Sequence, residues 1–492
     1  MSGAAIMIVE ILGAKMLSPF VGLSHFVWTA QIAVTLVALA CGYYVGGRLA
    51  DRSQNPTTLY GAILGAAAYL VLTVLLCEPV AYWCLDFKLA IGSLLASTFL
   101  FFVPLALLAM TGPFLIRVVT ASVAGVGSTA GRLTAIGTLG SFAGTVCVGY
   151  VMLPLLPNSV SVYLTAALLV LVSAGYFGWF RRKSSGALTT VAALGLGIAF
   201  LALQPPSAKY ADFIERFRGN SNFGDILVLE QRSSGVRLFS NDNLIQNTYD
   251  PARKQSMSVF THMLAGLARS YTTNVNSVLC IGLGIGIVPT EFAKQGAQVD
   301  VVEINPAIVP VAVKYFDLEP DKLAITFDDG RHFLNRCRKQ YDVIVLDAFL
   351  GDSSPSHLMT REAFAAMYRV LRPGGTLVIN AFCHLGDDQD FFAASLRRTL
   401  EAVFPGVQMH SDGSQNYFVA TDRPEPKLLR QPDLELVHPL LRAQVKEIFS
   451  RLVNTAPDHG RVLTDDFNPI EFYDAQNREA TRRAQAQRAQ RM

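Results

Sequence analysis

Three glycines, Gly282, Gly284 and Gly286, follow the apolar run Ser277–Ile281 and precede a helix-like stretch to Gln295. Glycines so spaced let a backbone turn sharply and approach a ligand, at a helix N-terminus that favours polar or anionic groups. A tight structural turn would look the same in isolation. The second signal is Glu303, which ends the run Val299–Val302. It stands about 20 residues past the turn, the separation expected of a carboxylate that accepts ribose hydroxyls. Two further runs also end in acids, Ala324–Phe327 in Asp328-Asp329-Gly330 and Asp342–Leu346 in Asp347. Ligands of open parallel sheets sit beyond the carboxyl ends of the strands, so Gly282, Glu303, Asp329 and Asp347 are predicted to share one crevice. A carboxylate at Asp347 could orient or deprotonate an attacking amine.

The elements that must hold these residues alternate strand and helix from Ser277 onward, the pattern of a parallel α/β sheet. Upstream, Phe213–Asn247 reads as short antiparallel strands, with ILVLE and VRLFS as strand cores and turns at Gly224-Asp225 and Ser234-Gly235. The segment 351–364, GDSSPSHLMTREAF, could lie over the site as a lid, with Thr360 capping the helix that follows. His357 in that segment is set aside as a lone loop histidine. Seven scattered cysteines form neither a CxxC pair nor a Cys/His ligand spacing, so neither a metal nor a disulfide framework is expected.

The first half of the chain is different. Residues 1–205 carry nine basic and four acidic side chains, and the remaining charge lies beyond a step at Gln204-Pro205-Pro206. Seven apolar stretches of membrane-spanning size fall at 3–21, 26–48, 58–78, 89–115, 131–155, 159–180 and 186–204. Lysine and arginine gather in alternate connections, at Arg48 and Arg52, at Arg117 and Arg132, and at Arg181, Arg182 and Lys183. That places the N-terminus in the cytosol and, with seven spans, residues 206–492 on the far side. Glu10 and Lys15 lie inside the first span, where charge implies either a polar site or mutual pairing. The stretch GYYVGGRLADR, Gly42–Arg52, resembles the cytosolic loop between the second and third helices of major-facilitator transporters, and also reads as a small-residue packing face. The balance of charge, +5 in the first half and −2 in the second, and the lack of a basic stripe with aromatics argue against nucleic acid as a partner.

The runs VLCIGLGIG, VDVVEINPAIVPVAVKYF, DDGRHFL and YDVIVLDAF resemble the core of spermidine synthases, a branch of the methyltransferase-like fold. The likeness extends over about 206–475. With the apolar first half, it gives a multidomain chain: the composition and apolar stretches mark an all-α transmembrane helical domain at 1–205, and the strand pattern and the resemblance imply a small β-strand region at 206–270 and an α/β Rossmann-like, methyltransferase-type domain at 271–475. A basic tail at 476–492 completes it. The resemblance implies Asp347 as the base that prepares the polyamine nitrogen. It also implies a nucleoside site built from Gln246, Gly282, Gly284, Gly286, Glu303, Asp329 and Gly330, with decarboxylated S-adenosylmethionine as co-substrate rather than a tightly bound cofactor. Two positions depart from the pattern. Ile285 stands where the family carries an aspartate that holds the aminopropyl amine, and Leu350 stands where a second aspartate follows the catalytic one, leaving Asp352 as the substrate-binding candidate after a shift in register. Leu463-Thr464-Asp465-Asp466 resembles a segment of membrane-fused members of the group.

Three functions are therefore open: a membrane-anchored aminopropyltransferase acting on putrescine or a related amine, a methyltransferase-like enzyme using S-adenosylmethionine, and a transporter with a nucleoside-binding sensor domain. The first is favoured by the set of strand-end residues. Expected partners are a polyamine substrate and the lipid bilayer, and the chain could form a homodimer. The expected location is the cell membrane. A sulfonium cofactor made in the cytosol requires a cytosolic catalytic domain, which conflicts with the seven-span charge pattern.

Overall fold

The structure is a computed structural model that describes residues 1–22, 25–120, 122, 125–180, 193–195, 197–198, 200, 212–242, 244–349, 355–383, 385, 390–413, 415–453 and 459–473. Two compact units lie within residues 1–209 and 210–481.

Among the described residues of the first unit, six helices are long and apolar enough to cross a membrane by length and composition: α1 (Ser2–Val21), α2 (His25–Arg52), α3 (Pro56–Cys84), α4 (Leu89–Val119), α5 (Val126–Leu155) and α6 (Asn158–Phe180). They coincide with the first six apolar stretches of the sequence. The seventh, 186–204, lies mostly outside the described residues. Helix α1 packs against all five others. Within α2, Gly42 and Gly46 lie on one helix face and meet α4. A Cβ on Gly42 would overlap the carbonyl oxygen of Ala106, and one on Gly46 would come within 2.7 Å of Met110. The glycine run is thus a helix-packing face, as small residues in membrane bundles commonly are. At its end Asp51 pairs with Arg117 at 3.1 Å. The chain then turns through residues 53–55, where the Asn55 side chain caps α3 by accepting from Thr57 N.

The second unit has two sheets. The first is an antiparallel meander in the order β1 (Phe213–Ser221), β2 (Gly224–Gln231), β3 (Arg237–Asn241), β4 (Leu244–Asp250), β5 (Gln255–Ser256). The β2–β3 hairpin turns at the predicted Ser234-Gly235, whereas the first hairpin turns earlier than predicted, at Asn222-Phe223, and Gly224-Asp225 open β2 in register with Asn220 and Ser221. The second sheet contains β6 (Ser277–Ile281), β7 (Gln298–Glu303), β8 (Ala324–Phe327), β9 (Tyr341–Leu346), β10 (Leu371–Phe382), β11 (Gly406–Ser411) and β12 (Gln415–Thr421). Its order is β11-β12-β10-β9-β6-β7-β8. The five strands from β10 to β8 run parallel, and β12 and β11 add antiparallel at one edge. This is the Rossmann-like α/β architecture, and the strand order reverses between β6 and β9, where such sheets bind ligands.

Both faces of the larger sheet are covered, as buried parallel strands require. One core joins Cys280, Val301, Val343, Val345 and Val378 to meander residues Ile226, Val228 and Phe239 and to helix α7 (Val259–Tyr271). The other joins Leu279, Ile344, Leu346 and Ile379 to helices α11 (Arg361–Arg369) and α12 (Phe391–Glu401). Between these lie α8 (Ile287–Lys294), α9 (Ile308–Phe316) and α10 (Gly330–Arg336), and α13 (Arg442–Ser450) follows.

Candidate active site

The glycine turn forms the centre of the crevice at the strand-order reversal. Gly282, Gly284 and Gly286 all have positive φ, at 99°, 53° and 83°. For a residue with a Cβ such angles are strained. Gly282 needs its hydrogen for a second reason, because a Cβ there would overlap the carbonyl oxygen of Asp347. The backbone sews the two strand ends together: Asp347 N donates to Ile281 O at 3.0 Å, and Gly282 N donates to Val302 O at 2.9 Å.

Glu303, at the end of β7, is 6% exposed. One carboxylate oxygen accepts from Leu283 N at 2.9 Å, inside the glycine turn, and the other from Asn305 N at 2.7 Å. Burial raises its pKa, and these backbone donors oppose the rise. Each carboxylate oxygen keeps a second lone pair, so the group can still accept from a diol while it holds the turn.

Asp347, just past β9, is half-buried on the face shared with Cys280 and Val345. Its Oδ1 accepts from Asn380 Nδ2 at 3.0 Å. Asn380 is 1% exposed on β10, the neighbouring parallel strand. Burial pushes the Asp347 carboxyl up to about 6, against the lowering effect of the Asn380 donor. A carboxylate of that basicity is mostly ionised at neutral pH and still competent to take a proton, the condition for a general base.

Asp329 caps α10, with Oδ1 accepting from Arg331 N at 2.8 Å and His332 N at 3.1 Å. Its Oδ2 lies 2.8 Å from His357 Nε2. Burial works to raise this carboxyl, but the His332, His357 and Arg331 donors outweigh it and hold the group below its ordinary value. Gly330 sits tight against β6, where a Cβ would come within 2.7 Å of Ile281.

The turn carrying His357 is tied from behind. Thr360 caps α11 by accepting from Ala363 N at 3.2 Å, as its position in the sequence predicts. Thr360 also donates to Asp465 at 2.6 Å, and Asp465 pairs with Arg331 at 2.9 Å. Asn468 and Glu471 bond to Ser356 at 2.7 and 2.9 Å. The segment around Leu463–Asp466 therefore clasps the turn next to Asp329.

The structure brings Gly282, Glu303 and Asp347 into direct connection and places Asp329 and Gly330 at the neighbouring strand end, through Asp328 N donating to Glu303 O at 3.1 Å. Gln246 lies on β4 at a bulge, where Phe239 pairs with Asn247 and Ser240 with Ile245, so Gln246 is the extra residue. Bulges re-aim side chains and are frequent beside functional sites. Asp352 lies outside the described residues. Two side chains that bond to these residues lie outside the set of site residues expected from the sequence. Asn380 carried one visible signal, a polar residue inside the apolar strand TLVINAF. His357 was set aside, and only the folded chain brings it to Asp329. Ile285 is 1% exposed within the core, so the glycine turn itself offers no carboxylate. Burial pushes the Cys280 thiol well up, which leaves it unreactive.

Residues 257–410 match the family profile described as the spermine/spermidine synthase domain. The chain is 29% identical to a polyamine aminopropyltransferase of Vibrio vulnificus, over 45% of this chain and 77% of that protein. It is 30% identical to an N-terminal histidine N-methyltransferase of Emericella nidulans, over 40% of this chain and 38% of that protein. It is also 28% identical to putrescine N-methyltransferase 2 of Nicotiana attenuata, over 37% of this chain and 50% of that protein. The chain thus spans from 38% to 77% of the length of these three relatives.

Proposed function

We propose that the spermine/spermidine synthase domain at residues 257–410 serves a membrane-anchored aminopropyltransferase, which moves the aminopropyl group of decarboxylated S-adenosylmethionine to putrescine or a related amine. The observation that carries this reading is Asp347: a half-buried base with its carboxyl raised to about 6, held by Asn380 beside the glycine turn and Glu303. In the proposed step the amine nitrogen forms a bond to the carbon next to the sulfonium. The carbon–sulfur bond breaks, the electron pair returns to sulfur, and a thioether nucleoside leaves. The proton released from nitrogen passes to Asp347. Because the sulfonium is already a good leaving group, positioning and removal of that proton are most of what the protein supplies. Glu303 would hold the ribose, Gly282, Gly284, Gly286, Gln246, Asp329 and Gly330 would line the nucleoside, and Asp352 is the candidate to bind the amine.

A second reading is favoured by Ile285, which leaves the glycine turn without an acid to hold an aminopropyl ammonium. The same base and amine would then serve methyl transfer from S-adenosylmethionine, and two of the relatives above bear N-methyltransferase names. Turnover of putrescine with each cofactor, using the full-length protein and Asp347→Asn as control, separates them. Spermidine formed only with the decarboxylated cofactor supports the first reading. N-methylputrescine formed with the carboxylated one supports the second, and product from neither overturns both.

The catalytic unit would face the cytosol. The six candidate spans among the described residues, taken without the stretch 186–204, put the connections after α2, α4 and α6 on one side, together with the N-terminus. The basic residues flank those connections: Arg48 and Arg52 close α2, Arg117 closes α4, Arg132 lies near the start of α5, and Arg181–Lys183 follow α6 in the sequence. This orientation rests on the stretch 186–204 not crossing the bilayer; a crossing there would return the catalytic unit to the far side. Labelling an engineered cysteine in the soluble unit from outside intact cells would overturn this orientation.

A further inference from the structure

We infer that the membrane unit contains a second ligand site, built around Glu10, Gln31 and Ser97, that binds the primary ammonium group of an amine. It is separate from the transfer reaction proposed above and does not depend on it.

The evidence begins with Gln31. It is 0% exposed within α2, and neither its Nε2 nor its Oε1 has a hydrogen-bond partner among the described residues. A carboxamide left unpaired in hydrocarbon costs several kcal/mol, about 4 or more by transfer to an alkane. The side chain is seated against Gly13 of α1, where a Cβ would come within 2.7 Å of Nε2 and 2.8 Å of the amide carbon. The missing side chain of Gly13 is what gives the carboxamide its place.

Other unpaired polar groups lie at the same depth. The end of α1, the start of α2, the end of α3 and the start of α4 are at one end of the bundle. Two cross-helix bonds fix their level, from Cys77 Sγ to Met16 O and from Thr73 Oγ1 to Leu100 O. At about 1.5 Å per residue, Gly13 and Ser97 lie about 12 Å from that end and Gln31 about 9 Å. Ser97 and its neighbour Ser93, one turn apart on α4, are 0% exposed, and neither hydroxyl has a partner among the described residues.

The two intramembrane charges then separate by face. At about 100° per residue, Glu10 lies roughly 60° around α1 from Gly13 and one turn deeper, whereas Lys15 lies roughly 160° away. Glu10 therefore shares the Gln31 side of α1, and Lys15 points to the opposite side. No ion pair joins the two among the described residues. A carboxylate, a carboxamide oxygen and a hydroxyl are three acceptors, which suits the three N–H groups of a primary ammonium. An intramembrane carboxylate facing protein rather than lipid is most often part of a binding site or pathway.

The sequence supplies a selective reporter. All three tryptophans, Trp28, Trp83 and Trp179, lie in the membrane half, and Trp28 is one helical turn before Gln31. Full-length protein with Trp83→Phe and Trp179→Phe leaves Trp28 as a fluorophore with no counterpart in the soluble unit. Titrated with putrescine in detergent, it should show a saturable emission change. Glu10→Gln should weaken the apparent affinity at least tenfold, and Gln31→Leu should abolish the response while keeping or raising the thermal midpoint, since an unpaired carboxamide is removed. Asp347→Asn should leave the titration unchanged. The inference is overturned by an absent response, by isotherms in the Glu10 and Gln31 variants that match those of the protein with both residues intact, by a response reproduced with sodium chloride, or by loss of the response in Asp347→Asn. The first two outcomes would leave Gln31 a buried carboxamide with no amine ligand, and neither bears on whether the soluble unit turns over.

Discussion

Glycine does different work in the two units. In the membrane unit Gly42 and Gly46 keep ordinary helical backbone and are small because α4 lies against them. In the soluble unit Gly282 and Gly286 are needed for their backbone angles, and Gly282 also for the close approach of Asp347. The first use sets a distance between helices, and the second shapes a ligand crevice. One residue type therefore marks packing in one half and a candidate site in the other, and a GxxxG or GxGxG string does not reveal which without the elements around it.

The sharpest test of the chemical half is Asp347→Asn. Removing the proposed general base is expected to lower kcat by about 10³-fold, with less effect on KM for the proposed nucleoside co-substrate. Steady-state kinetics with both substrates varied would show it, and an unchanged kcat would remove Asp347 from the mechanism. In the wild type, kcat/KM should fall as pH drops below about 6, where Asp347 takes its proton. That limb should vanish in the variant.

The glycine comparison itself can be broken by alanine. Gly282→Ala meets both a positive φ and the Asp347 carbonyl, so a loss of about 3 kcal/mol in stability is expected, with loss of activity. Gly284→Ala meets positive φ but open space, and should lose about 1 kcal/mol. Gly42→Ala should lower the melting transition of the membrane unit by forcing α2 from α4, yet leave kcat of the soluble unit in place. Were Gly42→Ala as harmful to turnover as Gly282→Ala, the division of labour drawn here would fail.

Burial of Asp347 should also be visible as a stability penalty. Its folded-state pKa, about 6, lies above the ordinary 3.8, so the folded state holds the proton more tightly. Stability associated with this group is therefore greatest below pH 4 and declines as pH rises from about 4 to about 6. A shift of that size corresponds to roughly 2 to 3 kcal/mol at pH 7. Asp347→Asn should accordingly be more stable than the wild type at pH 7 and gain little at pH 4. Denaturant titration followed by thiol labelling of the buried Cys280 reports it.

How much of this was legible in the sequence depends on how each part is buried. The parallel strands β6, β7, β8 and β9 were legible because apolar, largely β-branched runs stop at a glycine or an acid, which is also where the crevice forms. Strands β11 and β12 gave no such signal. They bury His410, Ser411, Asn416 and Thr421, so polarity inside them hides the core face. Asn380 reads as an interruption of an apolar strand until β9 is placed next to β10 and its amide meets Asp347. In the membrane half six of the seven stretches were legible from hydropathy alone, but the seating of Gln31 against Gly13 was not, because helix contacts have no sequence period of their own. The pairing of His357 with Asp329 depends on a turn held by a segment about a hundred residues away.

That segment gives the smallest and most discriminating prediction. Asp465 reaches Arg331 and Thr360, and Thr360 begins the helix after the His357 turn. The Asp465 side chain is 52% exposed, and ion pairs so exposed contribute about 0 to 1 kcal/mol. Asp465→Asn keeps an acceptor for Thr360 and loses only the charge, so it should raise KM for the nucleoside co-substrate about threefold and leave kcat unchanged. Asp465→Ala also removes the acceptor and should add to that rise. In an Arg331→Ala background both effects should shrink, since the charge then has no partner to hold. Equal changes in kcat and KM would mean that the clasp acts on Asp347 and not on the Asp329 edge, whereas a fall in thermal midpoint with neither kinetic constant altered would reduce it to a fastening of α11 and α12.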